Sequence, residues 1–359
     1  MIAQKEMEKK QEELNNVIRE KRNTLKTDRL DMSFGELMNL YNEGHLFITP
    51  EYQRVFRWSN FQKTRFLESI LLGVPIPPIF VAEDDDGKWE LVDGLQRIST
   101  VFSFFGILKD NNDKNNFELS EGELIKELDG FTSKMLSTKL ELTIKRSVCR
   151  VEIVKWDSTE DMRYELFNRL NTGASPLSDQ EIRNCIFRAY PVNLNQILRD
   201  ISKIQSYQDL ISPTKTKQEQ MFLEELVLRY FAFKYLDKEF KTTIANYLNI
   251  FMKDVSNNKI PFNLELEKRN FIEYIEFLNS NFGKDIFRPK GLFALHIFDS
   301  LAYAIPKSFD NIENNKESII NGINILLKDD KYNSIGTSTF SNMRIRKRMD
   351  RAFEIFNNL

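Results

Sequence analysis

The densest chemistry in this chain lies in Asp93, Gly94, Gln96 and Arg97, which close the run Leu91-Val92-Asp93-Gly94-Leu95-Gln96-Arg97. An apolar stretch ends there and a helix-patterned segment begins at once. Glycine lets the backbone turn sharply or come close to a ligand. The free N–H groups of a helix start, with an arginine fork beside them, form an anion site suited to phosphate. A neighbouring carboxylate, Asp93, has the chemistry to orient water or a metal ion. The same seven residues also fit a plain strand–turn–helix corner with Asp93 as N-cap and Arg97 solvated. Taken alone, they leave both readings open.

Three other clusters carry polar groups of the same kind. Pro50-Glu51-Tyr52-Gln53-Arg54, followed by Arg57-Trp58, sets arginines beside aromatic rings, which suits clamping a phosphate and stacking a base. It equally fits a surface loop with a packed Trp. Phe167-Asn168-Arg169-Leu170-Asn171-Thr172-Gly173 supplies Asn168, Arg169 and Asn171, and read locally it is a helix end capped by a glycine turn. Arg344, Arg346, Lys347, Arg348 and Arg351 lie within eight residues, opposed only by Asp350. On a helix they would contact DNA phosphates in a salt-dependent way, or pair with acidic residues elsewhere.

Other chemistries are disfavoured by what the chain contains. With 51 basic and 53 acidic side chains there is no global basic field, so binding to a polyanion must rest on a local patch. Only His45 and His296 are present, neither with a partner motif, which argues against histidine-centred catalysis and against His-Asn-His nuclease chemistry. His45 reads as a loop residue and His296 as a helix-core one. Cys149 and Cys185 give neither a disulfide framework nor zinc spacing, and Cys149 in a strand-like run reads as core filler. Asp84-Asp85-Asp86-Gly87 reads as a hairpin tip, since no glutamate follows at EF-hand spacing. No apolar run approaches the roughly 18–20 residues of a membrane helix. The first residues lack a signal-peptide apolar region, and the chain reads as cytoplasmic.

The elements that must position these groups follow from patterning. Ser59-Asn60-Phe61-Gln62 predicts a capping box opening a helix with Phe66, Leu67, Ile70 and Leu71 on one face, stopped at Gly73 before Pro75, Pro77 and Pro78. Ile79 to Ala82 and Trp89 to Val92 predict two short strands around the acidic turn. Ile98, Val101, Phe102 and Phe105 recur on one helical face after Gly94. Residues 148–154 alternate like a strand, with Arg150 and Glu152 opposite the valines. Met162 to Leu170 reads as a helix, and Ser178-Asp179-Gln180-Glu181 as a second capping box. From 187 onward the spacing is mainly helical. The expected architecture is α+β: a helical arm over 1–29, a mixed domain over 30–190, and a helical domain over 191–359.

In combination these motifs are identifiable. Pro50 to Trp58, Ser69-Ile70-Leu71-Leu72-Gly73-Val74-Pro75-Ile76-Pro77, the Asp-Gly-x-Gln-Arg run at 93–97, and Phe167 to Gly173 with Gln180-Glu181-Ile182-Arg183-Asn184 occur in the order found in one family. The chain strongly resembles the GmrSD-type restriction N-terminal domain family over about 30–190. Glu224-Glu225-Leu226-Val227-Leu228-Arg229 resembles the helical region that follows this domain in family members.

The resemblance implies a ParB/sulfiredoxin-like fold and a DNA-directed role in phage defence or restriction. It also implies a nucleoside triphosphate (GTP, ATP or CTP) bound and hydrolysed at the Asp-Gly-x-Gln-Arg motif, with Mg²⁺ as a candidate companion. Carried over by position, Asp93, Gln96 and Arg97 become catalytic candidates. Gln53, Arg54, Gly94, Arg97, Asn168, Arg169 and Asn171 become nucleotide- or phosphate-binding candidates. The implied partners are DNA and a nuclease or other defence protein. The alternatives are a non-catalytic DNA- or partner-binding module and a metal-dependent nuclease. Where the common motif has Gln this chain has Leu95, which removes one polar group. The helical half also has too few histidines for the His-Asn-His domain that many relatives carry.

Overall fold

The computed structural model describes residues 2–48, 56, 58–109, 112–155, 158, 160–170, 177–187, 194–236, 242–289, 291–335 and 342–359. The chain divides into two compact units, Met1–Pro176 and Leu177–Leu359.

The first unit opens with α1 (Ile2–Asn23), whose described side chains are solvent-exposed. β1 (Thr27–Ser33) runs into α2 (Phe34–Glu43), which Ser33 caps by accepting the Glu36 N–H. β2 (Leu46–Phe47), α3 (Asn60–Leu71), β3 (Ile79–Glu83), β4 (Trp89–Asp93) and α4 (Leu95–Phe104) follow. The unit closes with α5 (Thr138–Arg146), β5 (Val148–Val154) and α6 (Glu160–Leu170). The five strands make one mixed sheet in the order β1-β5-β3-β4-β2. β3 and β4 form the antiparallel hairpin expected from the acidic turn, while β3 runs parallel to β5 and β2 parallel to β4. Both pairs of parallel neighbours are distant in sequence, as crossover connections require.

Both capping boxes form: Ser59 with Gln62, and Ser178 with Glu181. Two sequence expectations are corrected. On α4 the structure buries Ile98, Val101 and Phe102, but Phe104 is buried while Phe105, past the last full turn, is only half-buried. On β5, Cys149, Val151 and Ile153 face the core, while Val148 shares the exposed face of Arg150, so not all the valines lie opposite the charges. Arg150 reaches across to Asp31 on β1 at 2.9 Å, and Arg29 to Glu152 at 3.3 Å. Charged cross-strand pairs of this kind also blunt an edge strand against stray pairing.

The second unit is helical: α7 (Asp179–Ile186), α8 (Leu194–Ser202), α9 (Gln205–Ile211), α10 (Lys215–Glu219), α11 (Phe222–Lys234), α12 (Ile244–Ser256), α13 (Leu264–Phe282), α14 (Leu295–Ser308), α15 (Lys316–Lys328), α16 (Asp330–Ser334) and α17 (Asn342–Asn357). α11 is its centre. It is buried nearly all round, with Leu226, Val227, Leu228, Phe231 and Phe233 inaccessible to solvent, as expected of a helix apolar on every face. Phenylalanine and tyrosine supply much of this core, and Tyr230 meets Phe271 edge-on with ring centroids 5.0 Å apart. Among the described residues no helix is long and apolar enough to cross a membrane.

Candidate functional site

β4 ends at Asp93, and Gly94 turns the chain into α4 with φ +97°. A Cβ there would lie 2.5 Å from Ile79 Cγ2 and 3.2 Å from Arg97 Nη2. The position therefore needs glycine for its backbone and for its space. Asp93 does not cap α4. The helix start has no side-chain cap, and Asp93 Oδ2 instead accepts a hydrogen bond from Arg97 Nη2 at 2.8 Å. The same Nη2 donates to the Pro78 carbonyl at 3.0 Å, and Arg97 Nε is buried with no hydrogen-bond partner among the described residues. Arg97 is thus a braced side chain, 19% exposed, and not a solvated one. Its guanidinium holds the strand end and the helix start together.

Gln96 is committed elsewhere. Its Oε1 accepts the Trp58 backbone N–H at 3.1 Å, and the Trp58 ring stands against Phe66 of α3. The chain just before α3 is thereby tied to the first turn of α4. Cys149 of β5 is buried in the sheet, and burial pushes its thiol up to about 11 despite the opposing charge of Arg97. It is core filler, as its strand position predicted.

Pro50 to Arg54, and with them Gln53 and Arg54, lie outside the described residues, as do Arg57 and the Asn171-Thr172-Gly173 turn. Asn168 is half-buried on α6, while Arg169 is exposed and pairs with Glu165 at 2.8 Å. Among the described residues neither bonds to the 93–97 turn. A groove of about 390 Å³ opens beside α3 at Phe61, Ser120 and Lys126, and none of the motif residues lines it. Among the described residues no group of three His, Cys, Asp or Glu side chains gathers in a way that would hold a metal ion.

The basic run near the C-terminus is divided by α17. Arg344 and Lys347 are exposed. Arg346 pairs with Asp350 at 2.9 Å, and Arg351 grips Asp329 at 2.6 Å and Glu354 at 2.7 Å. Arg348 is only 2% exposed. Of the five cations within these eight residues, only Arg344 and Lys347 are exposed without an ion-pair partner among the described residues.

The second unit holds a polar constellation to which sequence reasoning gave no role. On α7, Arg183 is fully buried and donates to Gln180 Oε1 at 2.9 Å and Glu225 Oε2 at 3.1 Å. Gln180 donates to Asn184, and Asn184 to Glu224 Oε2 at 2.7 Å. From α11, Arg229 bridges Glu225 at 2.9 Å and both oxygens of Asp299 on α14, at 3.2 and 3.0 Å. Burial pushes Asp299 up to about 6 against the pull of Arg229. Burial also opposes the Glu225 charge, but Arg229 and Arg183 outweigh it and hold that carboxyl below its usual value. The signal was in the sequence: Glu224, Glu225 and Arg229 sit in a helix otherwise apolar all round. Buried charges must find counter-charges.

Residues 34–188 match the family described as GmrSD restriction endonuclease, N-terminal domain. No curated protein and no solved structure matches the chain.

Proposed function

Because residues 34–188 form a domain of the GmrSD family, we propose that this restriction- or defence-type protein acts on DNA under the control of a nucleoside triphosphate held at the 93–97 turn. The observation that carries this reading is the uncapped start of α4 beside the braced Asp93–Arg97 pair. The unspent N–H groups of a helix's first turn favour a phosphate.

Phosphoryl transfer asks a protein mainly for positioning and charge stabilisation. Asp93 keeps its Oδ1 uncommitted among the described residues, and that oxygen orients the attacking water. Arg97 positions Asp93 and adds positive charge beneath the phosphates. Gln96 fixes Trp58, and Gln53 and Arg54, earlier in the same motif, are the candidate nucleotide contacts that the family pattern implies. A single carboxylate fits Mg²⁺, which takes one or two carboxylates and completes its shell with water and substrate phosphates; with the ion bound, Asp93 Oδ1 would hold it in place of the water, and the ion would neutralise phosphate charge. On α17, Arg344 and Lys347 contribute two DNA phosphate contacts, and cleavage falls to a partner nuclease. The ParB/sulfiredoxin-like class and a cytoplasmic setting accord with this role.

The test is phosphate release from GTP, ATP and CTP, with and without DNA. Asp93→Asn should lower release about 100-fold with the fold intact. No release under any condition, together with a DNA gel shift, replaces this reading with a non-catalytic binding module. Plasmid nicking abolished by chelator replaces it with a metal-dependent nuclease.

A further inference from the structure

Two lysines converge on the segment that Gln96 ties down. Lys63 Nζ of α3 sits 3.8 Å from the centroid of the Phe117 ring and 6.0 Å from that of Phe56. Lys114 Nζ lies 5.4 Å from the same Phe56 ring and donates to the Phe56 carbonyl at 3.0 Å. Two ammonium groups thus share one buried phenylalanine, and among the described residues neither has a carboxylate in ion-pair reach. The arrangement costs charge repulsion: burial and then the Lys114 charge hold Lys63 below the usual lysine range. Cation–π contacts offset only part of this cost, and a single lysine would already make them. An anion between the two would turn the repulsion into attraction.

We propose that Lys63 and Lys114 form a phosphate-binding pair that receives the polyphosphate tail of a nucleotide. Position favours this occupant. Lys114 holds the carbonyl of Phe56, and two residues on, Gln96 holds the N–H of Trp58. Two residues of extended chain span at most about 7 Å. The lysine pair and the first turn of α4, where the phosphate is placed above, are therefore linked through Phe56 and Trp58. Charge favours it too. Two cations near one ring, close enough for the charge of one to act on the other, match a multiply charged terminal phosphate, whereas a nucleic-acid backbone spreads single charges along its length and calls for a row of basic residues. The aromatic rings seat the ammonium groups without neutralising them. This assignment rests on the nucleotide reading for the rest of the ligand, but the lysine pair is testable without it.

The experiment is calorimetric binding of inorganic tripolyphosphate, GTP, ATP and CTP to the full chain, with Lys63→Gln, Lys114→Gln and Lys63→Arg compared by circular dichroism and melting temperature. Tripolyphosphate should bind the wild type. Either Gln variant should weaken it at least about tenfold, while Lys63→Arg, which keeps the charge, should stay within about threefold. Absence of tripolyphosphate binding, or affinity unchanged in both Gln variants, overturns the proposal. So does a lysine-dependent loss confined to DNA binding. Lysine-dependent tripolyphosphate binding with no nucleotide bound or hydrolysed upholds the pair and removes the nucleotide reading. Nucleotide binding indifferent to both lysines does the reverse.

Discussion

Arg97 Nη2 holds Asp93 Oδ2 at 2.8 Å across the Gly94 turn, so the two charged ends of the Asp-Gly-Leu-Gln-Arg run are bound to each other. The pair is half-shielded, with Asp93 39% and Arg97 19% exposed. A double-mutant cycle of Asp93→Asn and Arg97→Gln, read by urea denaturation, should give a coupling of about 0.5–1 kcal/mol. A coupling near zero would mean that the two side chains do not brace one another in solution.

Gly94→Ala should destabilise the protein by about 1–3 kcal/mol, since the new Cβ meets Ile79 in left-handed backbone. Pairing it with Ile79→Ala, which removes the Cγ2 that the new Cβ meets first, should cost less than the sum of the two single variants. Melting curves of the single and double variants decide this.

Removing one partner from the buried constellation should be costlier. Arg183→Met leaves Glu225 short of one counter-charge and Gln180 without its donor, and should cost about 3–5 kcal/mol. Arg344→Gln, on the exposed face of α17, should stay within about 0.5 kcal/mol. Equal effects in urea denaturation would contradict the burial of Arg183.

His296 carries a pH signature. Burial, with the charge of Arg348 second, lowers it from 6.5 to about 4. A group whose folded value is depressed contributes stability above its unfolded value and loses it as pH falls through the folded one. Stability should therefore decline from pH 6.5 down to 4, and less so in His296→Gln. Asp299, raised from 3.8 to about 6, works in the opposite sense: its contribution is present below pH 4 and lost as pH rises through 6. The difference between wild type and His296→Gln, not either curve alone, isolates the histidine.

Cys149 should resist alkylation. With its thiol up at about 11 and buried, it carries almost no thiolate at pH 8. In a Cys185→Ser background, maleimide labelling should be slow in buffer and fast in urea. Fast labelling of the folded protein would show that the sheet opens at β5.

Local rules made much of this molecule legible. Ser59 with Gln62, Ser178 with Glu181, the hairpin around Asp84–Gly87 and the start of α4 after Gly94 each depend on residues within a few positions of one another. What escaped depends on distance. Nothing near Gln96 in sequence announces that its side-chain oxygen accepts the Trp58 N–H, thirty-eight residues back. Nothing beside Arg348 or Arg351 shows that one is buried and the other gripped by Asp329. Asp93 looked like a cap because short polar residues before helices usually cap them; a salt bridge to the next turn won instead.

The Arg183 network bears on where the polypeptide can be cut. The family match ends at residue 188, after α7, yet Arg183 and Asn184 find their carboxylates on α11. A fragment trimmed to 34–188 would carry a stranded guanidinium and an apolar helix face with nothing to cover them. An expression boundary should fall before Leu177 or run on past Asp299, so that the anions travel with the cations they neutralise.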